Sequence, residues 1–191
     1  KEYYINDAGT QIESLCRSAY SRYEEALGRK YNADNNEYPG DYLKKVGENL
    51  VDEFGDSLLS FDIKSNLEKI KTYTLSVMMD QIKKDLYDLG VIMDNFVSES
   101  SLYKNGKVQE AIDYLSKLNL IYKGVLEKPK GSEKLDWVER EQDLFKSTLF
   151  GDDVDRPIKK IDGNWTYFAP DIAYHYDKIK RNYDKIIDIF G

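Results

Sequence analysis

The chain has 191 residues, of which 41% are hydrophobic and 33% are charged, a mixture that is typical of a folded domain and excludes a disordered chain. Its formal net charge of −7 excludes nucleic-acid binding by overall electrostatic attraction, so any RNA contact would need a local cluster of Lys and Arg. The chain has a single cysteine, Cys16, so it cannot form an intramolecular disulfide. No apolar run reaches the ~20 residues that span a bilayer. A soluble, cytoplasmic protein is therefore expected.

The N-terminal part of the chain is predicted to form a strand and two helices. Glu2 to Ile5 is rich in β-forming residues, and Asn6 to Gly9 supplies turn and N-cap residues for a helix that ends at Gly28. After a loop over residues 29–40, a second helix begins at Asp41 and closes at Gly55. The first helix presents an apolar face made of Ile12, Leu15, Cys16, Ala19 and Tyr23.

The middle of the chain is predicted to be mainly helical. A long third helix runs from Asp62 to Leu89, because apolar residues recur on one side and charged residues on the other. Shorter patterns predict a strand over 91–97, a helix over 107–118 and a strand over 120–126. The apolar stripe of the third helix is predicted to be core and consists of Ile63, Leu67, Ile70, Met78, Ile82, Leu86 and Leu89.

The C-terminal part is predicted to return to strands after a charged surface turn over residues 127–136. Residues 144–150 are strand-like in composition. A hairpin is predicted in which residues 157–161 pair with residues 165–168, because Asp162-Gly163 between them is a strong turn signal.

Two further segments complete the predicted fold. A helix begins near Pro170, a residue that suits the first helical turn, and residues 185–190 are apolar enough for a buried strand. The chain is therefore predicted to be α/β at both ends with a mostly helical middle, as when an insertion interrupts a strand–helix unit. The strands before and after that insertion are expected in one parallel sheet.

Few residues could support chemistry by themselves. The chain has one histidine, His175, which is more often a surface or packing residue than a catalyst. The run Asp152-Asp153 with Asp155 could hold a hard cation, but Arg156 directly behind it favours a salt-bridged surface loop. No glycine-rich phosphate loop is present, and no metal site is predicted.

Tyr167 and Asp171 lie four residues apart at a predicted strand-to-helix junction. An isolated carboxylate at such a place can bind a guanidinium group through two parallel hydrogen bonds. Alternatively, Asp171 in the first helical turn simply complements the helix dipole, and physical reasoning from the residues favours that second interpretation.

Two stretches resemble bacterial arginyl-tRNA synthetases in order and separation: residues 2–11 (Glu-Tyr-Tyr-Ile-Asn-Asp-Ala-Gly-Thr-Gln) and residues 150–175, which include Asp162-Gly163-Asn164-Trp165-Thr166-Tyr167-Phe168-Ala169-Pro170-Asp171. Shorter matches between them are Tyr38-Pro39-Gly40-Asp41-Tyr42, Ile82-Lys83-Lys84-Asp85-Leu86 and Asp136-Trp137. The resemblance covers essentially the whole chain.

This resemblance implies a class I synthetase that activates arginine with ATP and Mg²⁺ and transfers it to tRNA(Arg), acting as a monomer away from membranes. It implies a partial Rossmann-type catalytic domain over residues 1–28 and 127–191, interrupted by a mostly helical connective insertion over 29–126. The family residues that match Tyr167 and Asp171 line the arginine pocket. Those that match Asn6, Asp7 and Gly9 lie beside the active site as supporting positions.

The chain also departs from the family pattern. The His-x-Gly-His and Lys-Met-Ser-Lys-Ser signatures are absent, so no catalytic residue is expected within these residues, and a fragment that is inactive alone is predicted. Two alternatives stay open: a stand-alone helical interaction module and an RNA-binding module that uses the surface lysines of the insertion. Both ends of the sequence look cut, which argues against these alternatives.

Overall fold

The computed structural model describes residues 1–31, 38–60, 63–126 and 139–189. It divides into two compact units, Lys1–Ser98 and Glu99–Gly191. The predicted turn at 127–136, the Asp136-Trp137 match and most of the predicted 29–40 loop lie outside the described residues. None of the described helices is both long enough and apolar enough to cross a membrane.

The first unit consists of three helices and a pair of parallel strands. Strand β1 (Glu2–Ile5) is followed by helices α1 (Thr10–Ala26), α2 (Tyr42–Phe54) and α3 (Ile63–Asp88), and then by strand β2 (Asn95–Ser98). A short 3-10 turn lies at Ser57–Ser60. β1 and β2 pair in register from Glu2 with Asn95 to Ile5 with Ser98. The three helices therefore form the crossover that parallel strands require.

The core of the first unit lies between its helices. α2 approaches α1 closely at Gly47, where a Cβ atom would come within 2.5 Å of the backbone carbonyl of Arg22. The predicted apolar face of α1 is buried, which confirms the pattern reading for that helix. The buried core residues are Ile12, Cys16, Ala19, Tyr23, Leu43, Val46, Leu50, Leu58 and Ile70.

The helix ends of this unit follow the predicted starts and stops, but the predicted side-chain caps do not form. Gly28 and Gly55, which follow α1 and α2, both have positive φ angles. Gly9 and Asp41 occupy the N-cap positions, and neither α1 nor α2 has a side-chain capping hydrogen bond. The carboxylate of Asp41 pairs with Lys44 at 2.8 Å instead.

α3 has the predicted length, but only part of its apolar stripe is core. Ile70 is fully buried, whereas Leu89, just past the helix end, is 77% exposed. The reason is length: α3 has 26 residues and spans about 39 Å, whereas α1 and α2, which pack against it, have 17 and 13 residues and span about 26 Å and 20 Å. α3 is therefore longer than either helix that covers it.

The second unit combines an antiparallel sheet with three helices. Helices α4 (Glu99–Lys104) and α5 (Lys107–Lys117) precede strands β3 (Ile121–Val125), β4 (Glu141–Phe145) and β5 (Arg156–Pro157), and helix α6 (Phe168–Lys180) follows. The sheet order is β3-β4-β5, with Ile121 opposite Phe145 and Leu144 opposite Pro157. The core comprises Leu102, Val108, Ala111, Ile112, Leu144, Ile158, Ala169, Ala173 and Tyr174.

The predicted strand over 144–150 is wrong after its first two residues. β4 ends at Phe145 and a 3-10 turn occupies Ser147–Phe150. Side-chain hydrogen bonds compete with strand pairing there, since Ser147 Oγ donates to the Val154 carbonyl at 2.9 Å.

The predicted hairpin forms, but it is shorter than expected. Lys159 and Trp165 make one antiparallel bridge, and the Lys160 amide donates to the Asn164 carbonyl at 2.7 Å. Gly163 has a φ of 82°, which favours glycine at this turn position. Phe168, predicted as strand, begins α6 instead.

The predicted strand over 185–190 is not found in residues 185–189, and Phe190 lies outside the described residues. Ile187 is 73% exposed and Ile189 is 93% exposed. A strand forms only beside a hydrogen-bonding neighbour, and this segment pairs with none of the described strands. β1 instead pairs in parallel with β2. β2 begins at Asn95, whereas the sequence predicted a strand from residue 91. It lies inside the range 29–126 that was predicted to be the insertion.

Candidate functional site

The start of α6 presents two of the predicted site residues. Tyr167 occupies the N-cap position and is 74% exposed, and Asp171 lies in the first turn. The hairpin before the helix is fixed by Thr166, whose hydroxyl donates to the Pro157 carbonyl at 2.8 Å and whose amide donates to the Ile158 carbonyl at 2.9 Å. The junction is therefore held by the hairpin and not by a side-chain cap.

The carboxylate of Asp171 has no cationic partner and accepts no hydrogen bond in the part of the chain that the structure describes. Although the side chain is exposed, desolvation by the surrounding protein raises its pKa, and the positive charge of His175, one turn further along α6, acts in the opposite direction. Such a carboxylate is stabilised by a cation brought in from outside.

Tyr103 of α4 lies near this carboxylate and Glu99 lies beside Tyr103, and sequence reasoning missed both residues. The hydroxyl of Tyr103 donates to Glu99 at 3.5 Å. Burial raises the pKa of Tyr103 to about 12, and the negative charges of Glu99 and Asp171 add to this effect. Glu99 and Asp171 thus make the surroundings electronegative. Only the packing of α4 against α6 reveals this, because the residues are far apart in sequence.

His175 packs at the second turn of α6. Its Nδ1 atom lies 3.8 Å from Asp188 Oδ2, and the same carboxylate pairs with Lys178, whose side chain is buried. The hydrogen bond from Lys178 lowers the pKa of Asp188. The ammonium group of Lys178 also lies 4.5 Å from the ring centroid of Tyr174. His175 belongs to this packing cluster, as the sequence favoured.

The other predicted positions lie in the first unit, at the carboxyl ends of β1 and β2. Asp7 accepts a hydrogen bond from Ser98 Oγ at 2.7 Å, and its amide donates to the Ile5 carbonyl at 3.1 Å. Asn6 is exposed, and Gly9 directly precedes α1. In open α/β sheets this edge is where ligands bind.

The acidic loop before β5 is a salt-bridged loop, as favoured above. Both carboxylate oxygens of Asp152 accept hydrogen bonds from Arg156 at 2.6 Å. These bonds lower the pKa of Asp152 to about 2. Asp155 accepts hydrogen bonds from Tyr122 and Thr148, each at 2.7 Å. No cluster that could hold a metal ion occurs within the described ranges.

Comparisons with known proteins give a consistent set of relatives. No family model matches the chain. Proteins named arginine–tRNA ligase from Cereibacter sphaeroides and Roseobacter denitrificans are 54% and 55% identical over 191 residues, which make up 100% of this chain and 33% of each relative. A relative of the same name from Paracoccus denitrificans is 53% identical over the same length. The chain spans about a third of the length of these curated relatives.

A solved structure shares the fold. The crystal structure of a Campylobacter jejuni protein assigned as an arginyl-tRNA synthetase superposes with a TM-score of 0.80 at 30% sequence identity. The superposition covers 100% of this chain and 38% of the other. The mixed α/β fold is therefore shared with that protein.

Proposed function

We propose that this chain, which is homologous over its whole length to bacterial arginine–tRNA ligases, is part of an enzyme that activates arginine with ATP and transfers it to tRNA(Arg). The observation that carries the proposal is the 54% identity over all 191 residues. The parallel pair β1–β2 with its helical crossover supports a Rossmann-type domain, because this is the repeating unit of such folds.

Arginine would bind at the start of α6. The planar guanidinium carries donors in a fixed fork, and the carboxylate of Asp171 could accept two of them in parallel. The absence of a cationic partner for Asp171 among the described residues supports this role. Tyr167, exposed at the N-cap, would pack or hydrogen-bond beside the guanidinium. Glu99 would add to the negative potential that attracts it.

Asn6, Asp7 and Gly9 would support the active site from the carboxyl edge of β1 and β2. The hydrogen bond between Asp7 and Ser98 ties the two strand ends together, which supports a positioning role for Asp7. The main groups that bind ATP and Mg²⁺ would come from other parts of the enzyme, since neither family signature occurs in this sequence.

The domain assignment follows from the same proposal. Residues 1–28 and 127–191 would belong to the catalytic domain, and the helices of residues 29–126 to the connective insertion. Because β2 pairs with β1, residues 95–98 would belong to the sheet of the catalytic domain as well. The complete enzyme would be a cytoplasmic monomer.

The test is an exchange assay on the complete protein that contains these residues. Purified protein should exchange radioactive pyrophosphate into ATP when arginine and tRNA are present, because adenylate formation is reversible. Lysine should not replace arginine. Exchange that requires another amino acid, or none, would contradict the proposal.

A further inference from the structure

An open cavity of 410 Å³ lies in the second unit beside the hairpin that precedes α6. The basic hairpin, defined here as residues 157–166, supplies most of its wall, and Arg140 just before β4 supplies the rest. Two of the hairpin side chains that line it are cationic, Lys159 and Lys160. The cavity is thus a local concentration of positive charge on a chain whose net charge is −7.

These cations are available to a ligand. Elsewhere in this unit Lys107, Lys123, Arg156, Lys178, Lys180 and Arg181 form ion pairs with carboxylates. Arg140, Lys159 and Lys160 form none with any residue that the structure describes. Lys159 instead lies 4.7 Å from the ring centroid of Trp165, which holds its ammonium group in place beside the hairpin.

Among the described residues that line the cavity, Asp162 is the one carboxylate, and the hairpin turn engages it. It accepts hydrogen bonds from the Asn164 amide at 2.9 Å and from the Asn164 side chain at 3.0 Å. These bonds, together with the nearby positive charge of Lys160, lower the pKa of Asp162. Each carboxylate oxygen thus has a hydrogen bond from Asn164, and Asp162 forms no ion pair with any residue that the structure describes.

The backbone of the hairpin offers little to a small phosphate. The amides of Lys160, Gly163 and Thr166 all donate to carbonyl groups within the hairpin, and the Asn164 amide donates to Asp162. A site for free phosphate is usually a nest of unused amides or a helix N-terminus. Side-chain cations along an open wall fit a string of phosphates instead. Ile161 at the tip is 78% exposed and adds apolar contact area.

We propose that the basic hairpin and Arg140 form a contact surface for the phosphate backbone of RNA. The ligand is identified as tRNA only through the proposed function, on which this inference rests. Lys160 and Arg140 neutralise phosphates along one strand, and Trp165 with Lys159 keeps the hairpin rigid. The contact is independent of sequence, since cationic side chains recognise charge and not base edges.

The experiment compares two double variants of the complete enzyme. Arg140→Ala with Lys160→Ala removes two charges at the cavity, and the control, Lys104→Ala with Lys117→Ala, removes two exposed charges on helices of the same unit. Binding of a tRNA(Arg) transcript is measured by equilibrium titration across salt concentrations. Each lost phosphate contact lowers the salt slope by about 0.7 to 0.9, so the cavity variant should lose about 1.5 in slope and roughly tenfold in affinity.

The outcomes separate this inference from the proposed function. Absence of arginine-dependent exchange in the parent protein would refute the proposed function and leave the RNA titration intact, because the titration measures binding alone. An equal loss in the control variant, or none in the cavity variant, overturns the contact surface. Displacement of tRNA by inorganic phosphate at constant ionic strength also overturns it, because that result identifies a small-anion pocket.

Discussion

At the scale of single residues, Asp171 has two properties that suit a ligand carboxylate. Its side chain is exposed, and it forms no ion pair or hydrogen bond with any residue that the structure describes. Desolvation raises its pKa, and the charge of His175 one turn further along α6 only partly offsets this, so a bound guanidinium would favour the charged form. These properties support the proposed arginine-binding role.

Replacing Asp171 by Asn should weaken arginine use by about 10- to 150-fold, because a charge-assisted hydrogen bond contributes roughly 1.5 to 3 kcal/mol. The apparent affinity for ATP should change little. Tyr167→Phe should cost less, since only a neutral hydroxyl is removed. The measurement is the KM for arginine and for ATP in the complete enzyme.

Asp113→Asn is a matched control for this change, because Asp113 is an exposed aspartate on α5 that accepts a hydrogen bond from Gln109. Its arginine KM should equal that of the parent. An unchanged arginine KM in Asp171→Asn would return Asp171 to the role of a residue that complements its helix.

The ion pair between Asp152 and Arg156 should make stability depend on acid pH. The pKa of Asp152 is lowered to about 2 in the folded state, against about 3.9 for an unfolded chain. The pair therefore stabilises the fold above about pH 4, and this contribution is lost as pH falls toward 2.

Thermal unfolding of Asp152→Asn beside the parent protein measures this effect. The Tm of the variant should be slightly lower at pH 7, and the difference should vanish near pH 2. Asp153→Asn serves as the control, since Asp153, next to Asp152 in sequence, makes no ion pair with Arg156 among the described contacts. A Tm difference that persists at pH 2 would show that another effect of the substitution dominates.

At the scale of elements, α1 and α2 are joined at Gly47. A Cβ atom there would lie 2.5 Å from the backbone carbonyl of Arg22, and backbone atoms cannot move aside as a flexible side chain can. Arg22 itself is fixed, since its guanidinium bonds Glu25 at 2.7 Å and lies 3.8 Å from the ring centroid of Tyr31. The two helices must therefore separate if a larger residue replaces Gly47.

Gly47→Ala should lower the free energy of unfolding by about 1 to 3 kcal/mol through overpacking. Helix propensity alone predicts a higher free energy of unfolding for the variant, since alanine is favoured over glycine in a helix interior by roughly 1 kcal/mol. Urea denaturation measures which effect is larger. Glu48→Ala, at the exposed neighbouring position, should be nearly neutral. A more stable Gly47→Ala variant would mean that the two helices are not packed as closely as described.

The sequence predicted the helices better than the strands, for a physical reason. A helix closes its hydrogen bonds within itself, so the periodicity of α3 predicted both its type and its length. A strand depends on a neighbour, and residues 185–189 have β-branched residues but pair with none of the described strands. Similarly, Asp171 was predicted from the motif around it, whereas Tyr103 and Glu99 became visible only through the packing of α4 against α6.

At the scale of the whole molecule, the proposed function implies that these residues cannot act alone. The chain spans 33% of its curated relatives, and the groups that would stabilise the phosphoryl transition state are proposed to lie elsewhere in the enzyme. The purified chain should therefore show no arginine-dependent pyrophosphate exchange above a heat-treated control. The complete enzyme, assayed in parallel, provides the positive control. Exchange by the chain alone would refute the view that it is an incomplete catalytic domain.

The pairing of β1 with β2 also governs how this protein is made on the ribosome. The paired residues Glu2 and Asn95 are separated by 93 positions, and at roughly 5 to 20 residues per second the ribosome needs about 5 to 20 s to synthesise that interval. β1 cannot pair with β2 during that time, while the helices between them are already able to fold. The pairing of β1 with β2 is therefore completed only after residues 95–98 have been synthesised, so these two strands join late in the synthesis of the first unit.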